Sequence, residues 1–382
     1  MPKYIIDEGA LRRNLELLKG VSDRAGVKIL LAQKAFSCAA VYPLCAKYLA
    51  GTTASSLFEA RHGHDCFGGE THVFAPAFVP EDMDELLGLV DHIVFNSPRQ
   101  VGRFGALARS RGVSVGLRVN PEVSVATTPA YDPCRVGSRL GTRRNEWDDA
   151  VVGCVSGLHF HCLCEQGLAE LRRVLAGFEA RFGDLLPQME WVNFGGGHHI
   201  TRAGYDVDGL VALLLDFRRR YPRLEVYLEP GEAIALNAGT LEARILEIQP
   251  TGADGVANAI LDVSAACHMP DVLEMPYTPR VTAGGMAGQI CPAGGAGVGR
   301  PPCVYRFGGP TCLAGDEIGV YAFDRPLQEG DPVVFEDMAI YTMVKNNTFN
   351  GVNLPEIALR CESGVVETIR SFGYADFAAR LG

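Results

Sequence analysis

No stretch of this 382-residue chain is apolar for long enough to cross a bilayer. The opening residues, Met1-Pro2-Lys3-Tyr4-Ile5-Ile6-Asp7, lack the apolar centre of a secretory signal. Without such a signal, the 12 cysteines read as reduced cytosolic thiols rather than a disulfide framework. Basic residues are in deficit: 35 Lys and Arg face 45 Asp and Glu, a net charge of −10. The chain therefore offers nucleic acid no electrostatic footprint. The paired spacing of a structural zinc site is missing too. His62-x-His64-x-Cys66 and His159-Phe160-His161-Cys162-x-Cys164 bring ligand types together without it, and we expect no metal. There is no internal repeat and no low-complexity tail. What remains is a cytoplasmic globular protein, 47% hydrophobic and 21% charged, long enough for two or three domains. Its acidity is compatible with a small cationic substrate, with neither nucleic acid nor membrane as partner.

Short apolar runs alternate with helical patterns over the first two thirds of the chain. The runs are Lys28–Ala35, His72–Ala75, His92–Asn96, Val113–Asn120, Val155–Phe160, Trp191–Phe194 and Leu224–Leu228. Helical spacing appears at Leu11, Leu15 and Leu18, and again over 42–50, 80–89, 98–110, 168–182 and 210–221. This alternation implies parallel βα units, about eight of them between residues 20 and 235, as in a TIM (β/α)8 barrel. Past residue 240 strand-like runs follow one another directly: 241–248, 257–263, 317–322 and 332–335. They predict an antiparallel β-domain, with the Gly/Pro-rich patch 284–302 as a surface loop. The domains expected are 10–238 for the barrel, and 1–9 plus 239–382 for the β-domain.

Four places carry potential chemistry. Lys34 closes the apolar run Lys28–Ala35, at the strand end where barrels place their active sites. Desolvation there frees the amine as a nucleophile, although the stretch alone also fits a lysine snorkelling into solvent. Gly195-Gly196-Gly197 follows a strand directly and lets backbone amides approach an anion, or is a plain turn. Glu229-Pro230-Gly231 ends the next strand, and its carboxylate can pair with a buried cationic ring nitrogen or sit solvated. Cys312, in Gly309-Pro310-Thr311-Cys312 with Asp316 close behind, can donate a proton or be inert. On the strand 155–160, alternation sends His159 and His161 to one face and Phe160 to the other.

In this order, these motifs resemble the fold-type III pyridoxal-phosphate decarboxylases, the alanine racemase-like group that includes the ornithine, arginine and diaminopimelate enzymes. The longer strings are most similar to the carboxynorspermidine/carboxyspermidine branch. They are Ser56-Leu57-Phe58-Glu59-Ala60, residues 91–97, 157–165 and 191–199, Cys267 to Tyr277, and Tyr341-Thr342-Met343-Val344-Lys345 followed by Thr348-Phe349-Asn350-Gly351. The resemblance covers nearly the whole chain. It implies pyridoxal 5′-phosphate as cofactor and a homodimer with shared active sites, in which the first strand joins the β-domain. Lys34 matches the lysine that carries the cofactor, and His161 the imidazole stacked on its ring. Gly195, Gly196 and Gly197 match the phosphate loop, Glu229 the partner of the ring nitrogen, Tyr341 a phosphate-side tyrosine, and Cys312 the acid from the partner subunit.

One departure stands out: many relatives carry Arg after Glu-Pro-Gly to hold phosphate, and here the residue is Glu232. We expect Glu232 to turn towards substrate and, with Asp271, Glu274 and Asp316, to hold the amines of a polyamine-like chain. Backbone amides, Cys164 and Tyr341 are expected to make up the phosphate grip. A decarboxylase of diaminopimelate type is the nearest alternative, but its substrate's distal carboxylate calls for Arg near Asp271 and Glu274. A racemase pairs the ring nitrogen with Arg, against Glu229. A non-catalytic regulator would lack Lys34 or Cys312.

Overall fold

The computed structural model describes residues 1–291 and 303–382. It forms two compact units, Met1–Leu11 with Ala235–Gly382, and Arg12–Ile234. Strand β1 (Lys3–Asp7) lies in the first unit. The second is a closed barrel of eight parallel strands in chain order: β2 (Lys28–Ala32), β3 (Gly51–Ala54), β4 (Glu70–Phe74), β5 (His92–Phe95), β6 (Ser114–Arg118), β7 (Gly157–His159), β8 (Trp191–Asn193) and β9 (Glu225–Leu228).

The apolar runs become these strands because both of their faces are buried. Outward-facing Phe160 and Phe194 stack at 5.0 Å, and Phe160 meets Phe178 of helix Leu168–Phe182 at 4.7 Å. That helix buries Leu171, Val174, Leu175, Phe178 and Phe182, the three-and-four spacing of one face. Strand β3 escaped the sequence reading because Gly51-Thr52-Thr53-Ala54 carries no large apolar side chain. Gly51 is required there, since a Cβ would collide with the Glu70 backbone. The helix after it, Leu57–Cys66, starts at Ser56, whose Oγ accepts the Glu59 N–H at 3.2 Å, while the Glu59 carboxylate accepts the Ser55 N–H at 2.7 Å. The helices expected over 42–50 and 80–89 shrink to Tyr42–Cys45 and Met83–Leu86.

The amino-terminal end of the barrel is plugged by Trp191. Its indole lies where a Cβ on Gly116 or Gly157 would sit, and its Nε1 donates to Ser114 Oγ at 2.9 Å. Tyr227, His72 and His92 fill the remaining space, and the Lys28 amine lies 2.5 Å from Glu70 and 2.9 Å from Glu225. Glu70, His72 and His92 are three residues able to ligate a metal, but the imidazoles stack at 4.1 Å with planes 9° apart. Parallel lone pairs do not converge on one ion, and Lys28 already balances Glu70.

The other unit is an 11-stranded sheet. After β1 it contains β10 (Gly239–Gln249), β11 (Ala257–Leu261), β12 (Val281–Ala283), β13 (Met286–Ala287), β14 (Gln289–Ile290), β15 (Cys303–Gly308), β16 (Glu317–Phe323), β17 (Pro332–Glu336), β18 (Glu356–Arg360) and β19 (Val366–Arg370). The order is β13-β12-β17-β10-β11-β15-β16-β14, with β1 paired to β10 and β18, and β19 to β18. The expectation of a purely antiparallel sheet needs correction, since β11–β15 and β1–β18 run parallel. Both pairs join segments distant in sequence, where no hairpin dictates direction. Tyr4, Leu241, Phe307, Tyr321 and Phe335 share the core. Of the expected loop 284–302, residues 284–290 form the turns and short strands around β13 and β14, and 292–302 lie outside the described residues.

Trp191→Ala empties the barrel floor, and we expect a loss of about 3–5 kcal/mol in urea unfolding. A loss below about 1 kcal/mol would show that the indole does not fill the floor.

Candidate active site

A cavity of about 200 Å³ opens at the carboxyl ends of the barrel strands, with Lys34, Arg118, His159, His161 and Glu229 in its lining. Strand β2 ends at Ala32, three residues earlier than expected, so Lys34 lies in the turn that follows. Gln33 faces the other way: its Nε2 donates to the Glu59 carbonyl at 2.8 Å and its Oε1 accepts from the Tyr42 hydroxyl at 3.1 Å. Lys34 is accessible from the cavity yet ringed by protein. That enclosure lowers the amine's pKa, Arg118 lowers it further, and Glu229 opposes both.

Glu229 sits one residue past β9 and is buried. Its Oε1 accepts from Asn193 Nδ2 at 2.7 Å, and its Oε2 lies 3.2 Å from His159 Nε2. Burial opposes ionisation, but His159 foremost, with His72 and Asn193 after it, outweighs burial, so the carboxyl is held down at about 2. His159 itself is pushed towards neutrality by burial. Asn193 reaches further, its Oδ1 accepting the Gly195 N–H at 2.8 Å. The Gly196 N–H in turn donates to His161 Nδ1 at 2.9 Å. Burial, with Lys34 and Arg118 nearby, keeps His161 uncharged. With Nδ1 accepting, the His161 proton resides on Nε2.

The glycine loop is tied into the chain by these bonds. The Gly195 and Gly196 amides are engaged within the chain, and among the described residues only the Gly197 amide of the three has no partner. The glycines are needed for close approach. A Cβ on Gly195 would press on His161, one on Gly196 on the Glu229 carbonyl, and one on Gly197 on the Leu163 carbonyl. Gly195 and Gly197 also have positive φ, +67° and +84°. Cys164 is half-buried beside the loop, and its carbonyl accepts from Gln166 Nε2 at 2.9 Å. Glu232 is turned to His199, 3.0 Å away.

Arg118 was not anticipated. It is buried, donates to the His161 carbonyl at 2.9 Å and lies 4.5 Å over the Phe74 ring. Burial brings its pKa down to about 10. Its sequence signal was a charge inside the apolar run Val115-Gly116-Leu117-Arg118-Val119, as Asn193 was a polar group before the glycines.

In the sheet unit, Cys312 is exposed on a loop whose backbone is fixed, its N–H donating to Asn350 Oδ1 at 2.8 Å. Asp316, expected to face substrate, is instead buried and occupied. It accepts from Ser264 Oγ at 2.8 and 2.9 Å, from the Ala266 N–H at 3.1 Å and from Thr311 Oγ1 at 2.7 Å. A carboxylate so saturated organises the Cys312 loop and has little left for an amine. Asp271 and Glu274 are bridged by the Lys345 ammonium, which leaves one net negative charge on the cluster. Tyr341 precedes helix Thr342–Lys345 at φ +53°, ψ −40°, a costly backbone state for a side chain of its size.

A family model described as pyridoxal-dependent decarboxylase, C-terminal sheet domain, matches residues 4–339. The chain belongs to the pyridoxal-dependent decarboxylases. Among curated members of this family, it is 42% identical over 381 residues to carboxyaminopropylagmatine decarboxylase of Synechocystis, covering 100% of this chain and 95% of that one. It is 41% identical over 383 residues to carboxynorspermidine/carboxyspermidine decarboxylase of Campylobacter jejuni, covering 99% and 98%. The crystal structure of Campylobacter jejuni carboxynorspermidine decarboxylase complexed with norspermidine matches it with a TM-score of 0.89 at 40% identity, over 100% of this chain and 99% of that one. The twelve cysteines are free, and no helix among the described residues is long and apolar enough to cross a membrane.

The residues fit the family's cofactor: an amine of lowered pKa, a neutral imidazole and an ionised carboxylate share one cavity, behind which lies a loop that only glycine can build. Because Glu229 titrates below its ordinary 4.5, its stabilising contribution is complete above that pH and is lost as pH falls towards 2. The stability gap between the wild type and Glu229→Gln should therefore narrow between pH 7 and pH 3 in urea melts. A gap independent of pH would show that the charge is not what the site holds.

Proposed function

We propose that this decarboxylase acts on a carboxylated triamine, converting carboxynorspermidine to norspermidine and carboxyspermidine to spermidine, as a cytoplasmic homodimer whose sites are shared. The observation that carries the chemistry is the ionised Glu229 in one cavity with Lys34 and His161. Pyridoxal phosphate, when bound, supplies an electron sink for the pair left as carbon dioxide departs. Lys34, whose amine is held below its ordinary pKa, would be the residue that holds the cofactor covalently. Glu229 favours a protonated ring nitrogen, which keeps the sink strong. His161, fixed by Gly196, offers a flat neutral face to the ring. Cys312, reaching the site of the partner subunit, returns a proton to the carbon that lost the carboxyl group.

The substrate class rests on full-length likeness to enzymes named for such substrates, and on the residual negative charge of the Asp271, Glu274 and Lys345 cluster. A diaminopimelate-type substrate would bring a distal carboxylate into an acidic region. The Synechocystis relative favours a second reading, carboxyaminopropylagmatine, in which a guanidinium replaces an end amine.

Purified enzyme with pyridoxal phosphate should be offered carboxynorspermidine, carboxyspermidine, carboxyaminopropylagmatine, diaminopimelate, ornithine and arginine, with products read by mass spectrometry. We expect norspermidine and spermidine. Aminopropylagmatine as the dominant product would select the second reading, and lysine would overturn both.

A further inference from the structure

Cys162 directly follows His161, and the decarboxylation chemistry makes no use of it. It is 2% exposed, whereas Cys134, from the loop after β6, is 9% exposed. Backbone and side-chain bonds bring the two segments together. The Val119 N–H donates to the His159 carbonyl at 2.8 Å, so the end of β6 runs beside the end of β7. Asn120 Nδ2 donates to the Leu140 carbonyl at 3.1 Å and to the Pro133 carbonyl at 3.4 Å, which folds the loop back over that end. The Cys134 N–H donates to Asp132 Oδ1 at 2.9 Å and fixes the residue there. The Cys134 and Cys162 thiols share a hydrogen bond, and the Arg118 guanidinium is within electrostatic reach of both.

The surroundings treat the two sulfurs differently. The hydrogen bond from Cys162, with the Val123 backbone and Arg118 behind it, outweighs burial and holds the Cys134 thiol below its ordinary pKa. Burial pushes the Cys162 thiol up. The more exposed sulfur is thus the one closer to thiolate, and a second thiol stands behind it to resolve an oxidised form. We propose that Cys134 and Cys162 are a peroxide-responsive dithiol, whose closure to a disulfide lowers the activity of the enzyme. The Cys134 thiolate attacks hydrogen peroxide: an S–O bond forms, the O–O bond breaks, and the leaving hydroxide takes up the proton that Cys134 gave up. The Cys162 sulfur then attacks the sulfenic acid: the S–S bond forms, the S–O bond breaks, and the Cys162 proton departs with the hydroxide as water. Two thiols are oxidised, one peroxide is reduced, and two waters result. A disulfide is shorter than the hydrogen bond it replaces. Drawing Cys162 towards Cys134 therefore pulls on His161, against the bonds that hold its Nδ1 to Gly196 and its carbonyl to Arg118.

The test reads the bond and its effect separately. Reduced holoenzyme is treated with hydrogen peroxide, the remaining thiols are alkylated, and the peptides are mapped by mass spectrometry. Decarboxylation of the triamine is followed before and after dithiothreitol. A peptide joining Cys134 to Cys162 should form and be released by the reductant. The reversible fall in activity should be at least about fivefold larger in the wild type than in Cys134→Ser, because oxidation of the exposed Cys312 is common to both proteins. Oxidation of Cys312 without a link between Cys134 and Cys162 would overturn the pair. A link with unchanged activity would overturn its coupling to His161. An equal fall in the wild type and in Cys134→Ser would overturn it by placing the sensitivity at another thiol. The wild-type peptide map decides the pair whether or not the variant folds, and apart from which triamine is decarboxylated.

Discussion

The carboxylate of Glu229 is a charge in a buried place, and it survives there because two neighbours are committed to it. His159 and Asn193 come from the ends of the two preceding barrel strands, so strand register alone brings them to the carboxylate. A buried charge without such partners would take up a proton instead. The commitment spreads outward. Asn193 also holds the Gly195 amide, and Gly196 holds His161, so carboxylate, glycine loop and imidazole form one hydrogen-bonded chain. Loosening any member disturbs the others, which makes the site high-stakes in the sense of buried polar networks generally.

The barrel divides its work along its axis. One end is closed by Trp191 packed on two glycines, with an ion cluster around Lys28, and serves stability. The other end holds Lys34, His161 and Glu229, the groups proposed here to carry the chemistry. The sheet unit keeps a comparable economy. Asp316 gives up solvent and any ligand to order the loop that carries Cys312, and Asn350, itself at φ +56°, holds the Cys312 amide. Tyr341 sits in a similarly costly backbone state. Strain of this kind persists only where the surroundings over-determine it, and it gathers at functional positions.

The alternating apolar runs made the barrel legible, because burial on both faces writes itself into composition. Strand β3 was not, since its place depends on backbone closeness at Gly51 rather than on side chains. The parallel pairs β1–β18 and β11–β15 were hidden for a related reason: they join distant segments, and nothing local encodes their direction. At the site, Lys34 and Glu229 stood out at strand ends, while His161 was singled out through the family resemblance. Partners were not. Sequence shows that Glu232 lacks the positive charge of Arg, but only the fold shows His199 facing it. Asp316 and Cys312 are four residues apart, yet Ser264 and Ala266, which determine where the Asp316 carboxylate lies, come from far earlier in the chain.

If the ionised Glu229 governs this site, its effect should be visible on the atom it faces. Enzyme reconstituted with pyridoxal phosphate labelled with 15N in the ring would be observed by NMR at neutral pH. The wild type should give the chemical shift of a protonated ring nitrogen, and Glu229→Gln that of a neutral one. A neutral ring nitrogen in the wild type would contradict the account.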